Sequence, residues 1–256
     1  MGPVENVHVP ARTPRRDLVA TWALCVGGLA AAKALSLVEP TGLLAGNLAG
    51  VAAFLFIVLA ERKIHGRGER WSAYGVPWWG FRDRRSWKAW GRGLAIALGV
   101  CSVLFPLFFA VFWGYSLALP HLPRWLSSIL APYLLLPSPE LRFPPGLATL
   151  VLVQVLVIAL PEEMFYRGWV QTSWAASGRG WRVRVLGATL GPGFLCTQVL
   201  FAAGHLVVLQ PWRLATFFPG LLFGWLRERT GDVTASVFAH ALSNLFLATL
   251  EASFYG

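Results

Sequence analysis

Long apolar stretches run through this chain, and they limit what it can fold into more than any other feature. A helix needs about 20 mainly apolar residues to cross a bilayer, and seven stretches are candidates, the sixth being short. They are Leu18–Val38, Leu43–Ala60, Gly93–Leu119, Leu147–Trp169, Leu190–Leu209, Leu214–Leu226 and Val233–Phe254. Segments inside lipid must satisfy their own backbone hydrogen bonds, as a helix does. We therefore predict an all-α fold, a polytopic transmembrane helical bundle of about seven to eight helices.

The eighth element would lie between the third and fourth stretches. Leu122–Leu136 is apolar, but several prolines interrupt it, and an interfacial or re-entrant segment fits that pattern better than a span. We assign residues 1–17 to a cytoplasmic N-terminal tail and residues 18–256 to a single membrane-embedded domain.

Composition agrees with a membrane protein. The chain of 256 residues is 56% hydrophobic and 13% charged, with a mean hydropathy of +0.57, whereas soluble domains are about 25% charged. A net charge of +10 could indicate nucleic-acid binding. The basic residues lie instead in the connections between apolar stretches, as membrane topology requires. We expect the lipid bilayer, and no nucleic acid, as a partner.

The basic residues also predict an orientation. With the N-terminus in the cytoplasm and alternating spans, nearly all of the 22 Lys and Arg residues fall in cytoplasmic segments. The four exceptions are Lys33 within the first span and Arg124, Arg142 and Arg213 on the far side. Cytoplasmic connections carry such an excess of Lys and Arg. We predict an integral protein of the cytoplasmic (inner) membrane with a cytoplasmic N-terminus.

Two adjacent acids end one of the apolar stretches. Residues 144–161 carry no charge and a single Gln, and Glu162 and Glu163 follow directly. A charged side chain within a span costs about 2.5–3.5 kcal/mol even on a lenient scale. In a helix, Glu163 and Arg167 form a favourable i, i+4 pair, which leaves Glu162 free for chemistry. The alternative is a helix end that emerges into water with a solvated acidic pair.

Two later stretches carry histidines. His205 follows Phe201 by four residues, and Gln198 lies on nearly the same helical face. His240 and Asn244 are also four residues apart, so both can reach one point between helices. Each polar group alone could be an interhelical hydrogen bond. Together with the Glu pair, they predict a shared site with Glu162 as the candidate general base.

Taken in order, Glu-Glu-x-x-x-Arg, Phe-x-x-x-His and His-x-x-x-Asn resemble the motifs of the CAAX protease and bacteriocin-processing (CPBP, or Abi) family of intramembrane endopeptidases. The resemblance covers about Val151–Leu247 and defines a catalytic core of about 147–254. It implies that Glu162 and His205 activate the attacking water. It also implies that His240 and Asn244 stabilise the oxyanion, and that Glu163 and Arg167 support the site.

This interpretation leaves open whether the site binds a metal ion. Glu162, His205 and His240 together form a zinc-protease ligand set, but the His-Glu-x-x-His spacing is absent. Asn is a poor zinc ligand and a good oxyanion donor. We expect no cofactor and a glutamic-type intramembrane protease that hydrolyses a membrane-associated protein or peptide. A zinc-dependent intramembrane metalloprotease with the same three ligands is the alternative.

Functions of other classes are a proton-coupled transporter, with Glu162, His205 and His240 as a relay, and a non-catalytic membrane scaffold. The sequence leaves the substrate and the cleavage position open. A common depth for Glu162 and His205 requires the fourth helix to continue to about Trp174. It also requires the fifth helix to begin after the Pro192-Gly193 break, because each residue advances a helix by about 1.5 Å.

Overall fold

The structure is a computed structural model that describes residues 13–77, 84–130, 140–178 and 180–255. Over these residues it contains nine helices: α1 (Arg15–Ser36), α2 (Leu43–Gly46), α3 (Leu48–His65), α4 (Arg84–Ala118), α5 (Arg124–Leu130), α6 (Leu147–Ala175), α7 (Pro192–Gly204), α8 (Phe217–Thr230) and α9 (Thr234–Tyr255). Short 3₁₀ turns occupy Trp71–Tyr74, Leu119–His121, His205–Val208 and Pro211–Thr216. The predicted all-α bundle is confirmed.

Among the residues that the structure describes, four helices are long and apolar enough to cross a membrane. They are Arg15–Ser36, Arg84–His121, Leu147–Ala175 and Thr234–Phe254. A shorter apolar helix covers Pro192–Val208. Large apolar side chains on α4, such as Leu98, Val103 and Val111, face outward, which suits lipid contact and would be costly in water. The chain is an integral membrane protein.

Several helix ends meet at one face of the bundle. Helices α1, α4 and α9 start there, helices α6 and α8 end there, and the 3₁₀ turn that follows α3 lies beside them. The contacts that join them are Arg15–Trp174, Arg92–Asp232, Arg227–Tyr74 and Arg227–Thr172. These are the ends that the Lys and Arg count assigned to one side. Arg167 and Arg227 were counted with the connections there, but both are buried within the bundle.

Helix α6 lies at the centre of the core. Its aromatic residues Phe165, Tyr166 and Trp169 are buried among side chains of α1, α3, α7 and α9. Two segments of α6, Val153–Ala159 and Met164–Gln171, are π-helical. The short α-helical turn between them contains Pro161 and both acids. Proline lacks an N–H and removes a helical hydrogen bond, and π-helical segments in helices are frequent at functional sites.

Several boundaries differ from the sequence prediction. Residues 1–12 of the predicted tail and 131–136 of the predicted interfacial segment lie outside the described residues, while α5 covers the middle of that segment. The second apolar stretch is divided at Asn47 into α2 and α3. As predicted, α6 continues to Trp174, ending at Ala175. Helix α7 was predicted to begin after the Pro192-Gly193 pair, but it begins at Pro192, so the pair forms its first turn.

A small hairpin precedes α7 and was not predicted. Strand β1 (Val183–Val185) pairs antiparallel with β2 (Ala188–Leu190). The turn residues Leu186 and Gly187 both have positive φ, 46° and 83°, as tight two-residue hairpin turns require. The indole N–H of Trp225 donates to the Val185 carbonyl at 3.0 Å and ties the hairpin to α8.

Candidate active site

Glu162 and Glu163 are neighbours on α6 but lie in different surroundings. The Glu163 side chain is fully buried, whereas 17% of the Glu162 side chain is exposed. Adjacent residues on a helix point about 100° apart, so one acid faces the core and the other a more open region. The two carboxylates therefore cannot have the same role.

Glu163 is held by two partners through a single oxygen. Its Oε1 atom accepts a hydrogen bond from Nη1 of Arg167 at 2.9 Å, within the i, i+4 pair expected from the sequence. The same oxygen lies 2.9 Å from Nδ1 of His240 on α9. A carboxylate can only accept, so Nδ1 of His240 carries the proton. Glu163 thereby fixes the orientation of the His240 ring.

Glu162 has the freer carboxylate. Within the described part of the chain, the Oε2 atoms of both acids are buried without a hydrogen-bond partner, but Glu162 lacks the two close contacts that Glu163 makes through Oε1. The nearest basic atom is Nε2 of His240, 3.9 Å away, which is too long for a direct hydrogen bond. A gap of this kind is where a water molecule can bridge two polar groups.

The Phe201 ring connects the polar residues of three helices. The guanidinium carbon of Arg167 lies 4.2 Å from the ring centroid. The rings of His205 and His240 pack against the same phenyl group, with centroids 4.7 and 5.8 Å away. Phe201 and His205 therefore belong to one site with His240, although they lie on a different helix.

His205 presents one ring nitrogen to the site. Its Nδ1 atom lies 2.8 Å from the Phe201 carbonyl oxygen. A carbonyl oxygen can only accept, so Nδ1 carries the proton, and in a neutral ring Nε2 is then a free acceptor. The side chain is half-buried. His205 is therefore suited to accept a hydrogen bond from a water molecule.

Asn244 reaches a partner that the sequence analysis did not assign to the site. Its side-chain nitrogen donates to Oε1 of Gln154 on α6 at 2.8 Å. The sequence predicted that Asn244 would act beside His240 as a free donor. The amide nitrogen has two hydrogens, so Gln154 occupies one of them and orients the other.

A chain of buried amides extends from Arg167 to the end of α8. Arg167 donates to Gln198 at 2.8 Å, Gln198 donates to Gln171 at 3.2 Å, and Gln171 donates to Glu228 at 2.8 Å. Arg167 can only donate and the Glu228 carboxylate can only accept. Both amide orientations are therefore determined by the ends of the chain, which holds Arg167 in place.

These partners were missed for a simple reason. Gln154, Gln171 and Glu228 were visible as polar residues in or beside apolar helices, but their spacing matches no motif. Gln171 is fully buried, and buried polar groups usually have partners. Polarity in an apolar segment was therefore the available signal.

Glu162, His205 and His240 were the ligands of the zinc alternative. Across the described ranges, no group of three His, Cys, Asp or Glu side chains is placed to hold a metal ion. Nδ1 of His205 and Nδ1 of His240 are both engaged, one with a carbonyl and one with Glu163. Each ring therefore leaves Nε2 as its uncommitted nitrogen, and metal-ligating histidines are commonly oriented through the other nitrogen in this way.

The fold and this site together define a polytopic membrane protein with a buried acid–histidine cluster. Residues 144–246 match a family model described as type II CAAX prenyl endopeptidase Rce1-like. This match confirms the CPBP resemblance over that part of the chain and indicates an intramembrane protease. Comparison with curated proteins and with solved structures found no match.

Proposed function

We propose that the chain is an intramembrane endopeptidase in which Glu162 activates a water molecule to cleave a peptide bond. The observation that carries this proposal is the difference between the two acids. Each acid has a buried Oε2 atom without a hydrogen-bond partner among the described residues. Glu163, however, is fully buried and held through Oε1 by Arg167 and His240, whereas the Glu162 carboxylate is 17% exposed and, among those residues, has no basic atom closer than 3.9 Å. A general base must have such a free acceptor.

In the first step, water lies between Glu162 and His205. His205 accepts one hydrogen bond at Nε2, and Glu162 removes the other proton as the water oxygen attacks the scissile carbonyl carbon. The carbonyl oxygen becomes the oxyanion of a tetrahedral intermediate. Donors aimed at that developing charge supply much of the rate enhancement in acyl transfer.

His240 and Asn244 are the donors for the oxyanion. Because Glu163 holds Nδ1 of His240, Nε2 is the ring nitrogen that faces the site, and the imidazolium form of the ring donates through Nε2–H. Asn244 adds its second amide hydrogen, since Gln154 takes the first. Glu162 then passes its proton to the leaving amine, and the C–N bond breaks.

The proposed substrate is a protein or peptide held at the membrane. The matched family description names a CAAX prenyl endopeptidase, which makes a prenylated peptide with a C-terminal CAAX sequence the first substrate to test. We place the bundle face that gathers the ends of α6 and α8 in the cytoplasm, since most Lys and Arg lie there.

The test uses the purified chain in liposomes with a fluorogenic farnesylated CAAX peptide. Glu162→Gln keeps the shape of the side chain but removes the base, so cleavage should fall at least about 100-fold. Glu140→Gln is the matched control, because the Glu140 side chain is 73% exposed and, among the residues that the structure describes, forms an ion pair with Arg142 alone. Equal cleavage by the wild type and Glu162→Gln would refute the glutamate mechanism.

A further inference from the structure

A cavity with a largely apolar lining lies away from the acid–histidine site. It has a volume of about 320 Å³ and lies between α4 and α8. Its lining combines two cations with an apolar wall: Arg92, Ile96, Trp225, Leu226, Arg229 and Thr230. We propose that this cavity binds the phosphate group of an anionic membrane phospholipid.

The position of the cavity suits a lipid headgroup. Arg92 immediately precedes the apolar part of α4, and Arg229 lies in the last turn of α8. Both are therefore at the end of a membrane-embedded helix, where the bilayer changes from headgroups to acyl chains. Ile96, one turn further into α4, and Leu226 provide apolar contact just below the guanidinium groups.

The charges at the cavity leave one positive charge in excess. Arg92 pairs with Asp232, with Nη2 and Oδ2 2.6 Å apart. Arg229 is exposed and has no ion pair with any of the residues that the structure describes. Glu228, its neighbour in sequence, is engaged by Gln171 on another side of the helix. Two arginines and one aspartate thus match the single negative charge of a phosphodiester.

Hydrogen-bonding capacity points to the same ligand. Only Nη2 of Arg92 is committed, to Asp232 and to the Thr230 carbonyl, so its other N–H groups remain for an anion. The Asp232 carboxylate is occupied by Arg92 and by Thr234. The guanidinium fork fits phosphate oxygens in pairs, and basic pockets between membrane helices bind anionic lipid headgroups.

The wall of the cavity is held in a fixed position. The Trp225 indole N–H is bonded to Val185 of the hairpin. The Arg229 side chain passes directly over Gly187, where an added Cβ atom would lie 2.7 Å from Nε. A glycine at this turn therefore lets Arg229 lie against the hairpin and remain beside the cavity.

Binding is measured by native mass spectrometry of the purified full chain, with phosphatidylglycerol and phosphatidylcholine of the same acyl chains. The wild type should retain phosphatidylglycerol preferentially. Arg229→Gln should lower that occupancy about tenfold, as expected for lost hydrogen bonds to a charged group. Arg184→Gln removes an exposed cation of β1 that does not line the cavity, and it should leave the occupancy unchanged.

A second variant distinguishes lipid binding inside the cavity from general attraction of the lipid to surface charge. Ile96→Trp fills the cavity and keeps every charge, so it should also displace phosphatidylglycerol. Glycerol 3-phosphate and inorganic phosphate are added as competitors, and neither should displace the lipid at millimolar concentration. Equal binding of the two lipids, unchanged binding by both variants, or displacement by inorganic phosphate would each overturn the proposal. None of these readouts depends on peptidase activity.

Discussion

Nδ1 of His240 lies 2.9 Å from Oε1 of Glu163, and the same oxygen accepts a hydrogen bond from Arg167. One fully buried acid thus joins α6 to α9 and fixes which nitrogen of the histidine faces the site. Aspartate has this orienting role toward histidine in serine proteases. The second acid of the Glu-Glu pair is accordingly a positioning residue rather than a spare base.

Replacing Glu163 should lower both the stability of the fold and the peptidase activity. Glu163→Gln leaves the fully buried Arg167 guanidinium without its carboxylate partner, and breaking a buried pair in this way costs about 3–5 kcal/mol. The His240 ring also loses its orienting acceptor, so we expect cleavage to fall by about 100-fold or more. Thermal unfolding and peptide cleavage measure the two effects.

Glu140→Gln is the control for this change, because it breaks an exposed pair with Arg142. Exposed pairs contribute little to stability, so its unfolding temperature should stay close to that of the wild type. If Glu163→Gln behaved like Glu140→Gln, the buried acid would have no positioning role.

Replacing the Phe201 ring should lower the rate of catalysis more than it weakens substrate binding. Phe201→Leu keeps an apolar side chain but removes the ring on which Arg167, His205 and His240 pack. A desolvated cation–π contact contributes about 2 kcal/mol, which corresponds to about 30-fold in kcat. KM should change less than kcat, because the ring orients site residues. Phe218→Leu, at a side chain that is 71% exposed, should change neither constant.

The roles of Asn244 and Gln154 in catalysis can be distinguished by substituting each residue in turn. If Asn244 donates to the oxyanion, Asn244→Ala should lower kcat by about 100- to 1,000-fold. Gln154→Ala removes only the group that orients Asn244, so its loss should be nearer tenfold. Parallel kinetics on the two variants measure this difference. Equal losses would mean that the pair is a clasp between α6 and α9 without a direct catalytic role.

The parts of the site that sequence could predict are local. The Glu163–Arg167 pair follows from i, i+4 spacing on one helix, and Glu162 was recognised as the free acid for the same reason. The His240–Glu163 bond depends on how α9 is rotated against α6. That rotation is set by packing among many side chains, which no motif encodes, so the bond was not predicted.

The same distinction applies to the fold. The seven apolar stretches each contain helix, because backbone hydrogen bonding in lipid allows little else. The break at Asn47 and the hairpin at Leu186-Gly187 depend on particular turn conformations. The hairpin did have a weak signal, since Val183 and Val185 precede a two-residue turn that contains Gly187, but the segment was assigned to a cytoplasmic connection between spans.

Metal dependence is tested by chelation. We expect cleavage to be unaffected by 1,10-phenanthroline, because no three His, Cys, Asp or Glu side chains are placed to hold a metal ion in the part of the chain that the structure describes. Elemental analysis of the active, dialysed protein should find zinc well below one equivalent. Loss of activity on chelation, restored by added zinc, would support the metalloprotease alternative.

A glycine on α8 provides a test of the amide chain without changing any polar group. Gly224 lies against Gln198 and Gln171, and an added Cβ atom would be 2.9 Å from Oε1 of Gln171 and closer still to Nε2 of Gln198. Gly224→Ala should therefore push the two amides apart, release Arg167 and reduce cleavage, although alanine is otherwise the better helix former.

Gly99→Ala on α4 is the matched control, because an added Cβ atom there meets nothing within 4 Å among the described residues. It should be neutral or stabilising by up to about 1 kcal/mol. Unfolding temperature and cleavage are measured for both variants. Equal behaviour of the two would show that close packing at Gly224 does not hold the chain from Arg167 to Glu228 in place.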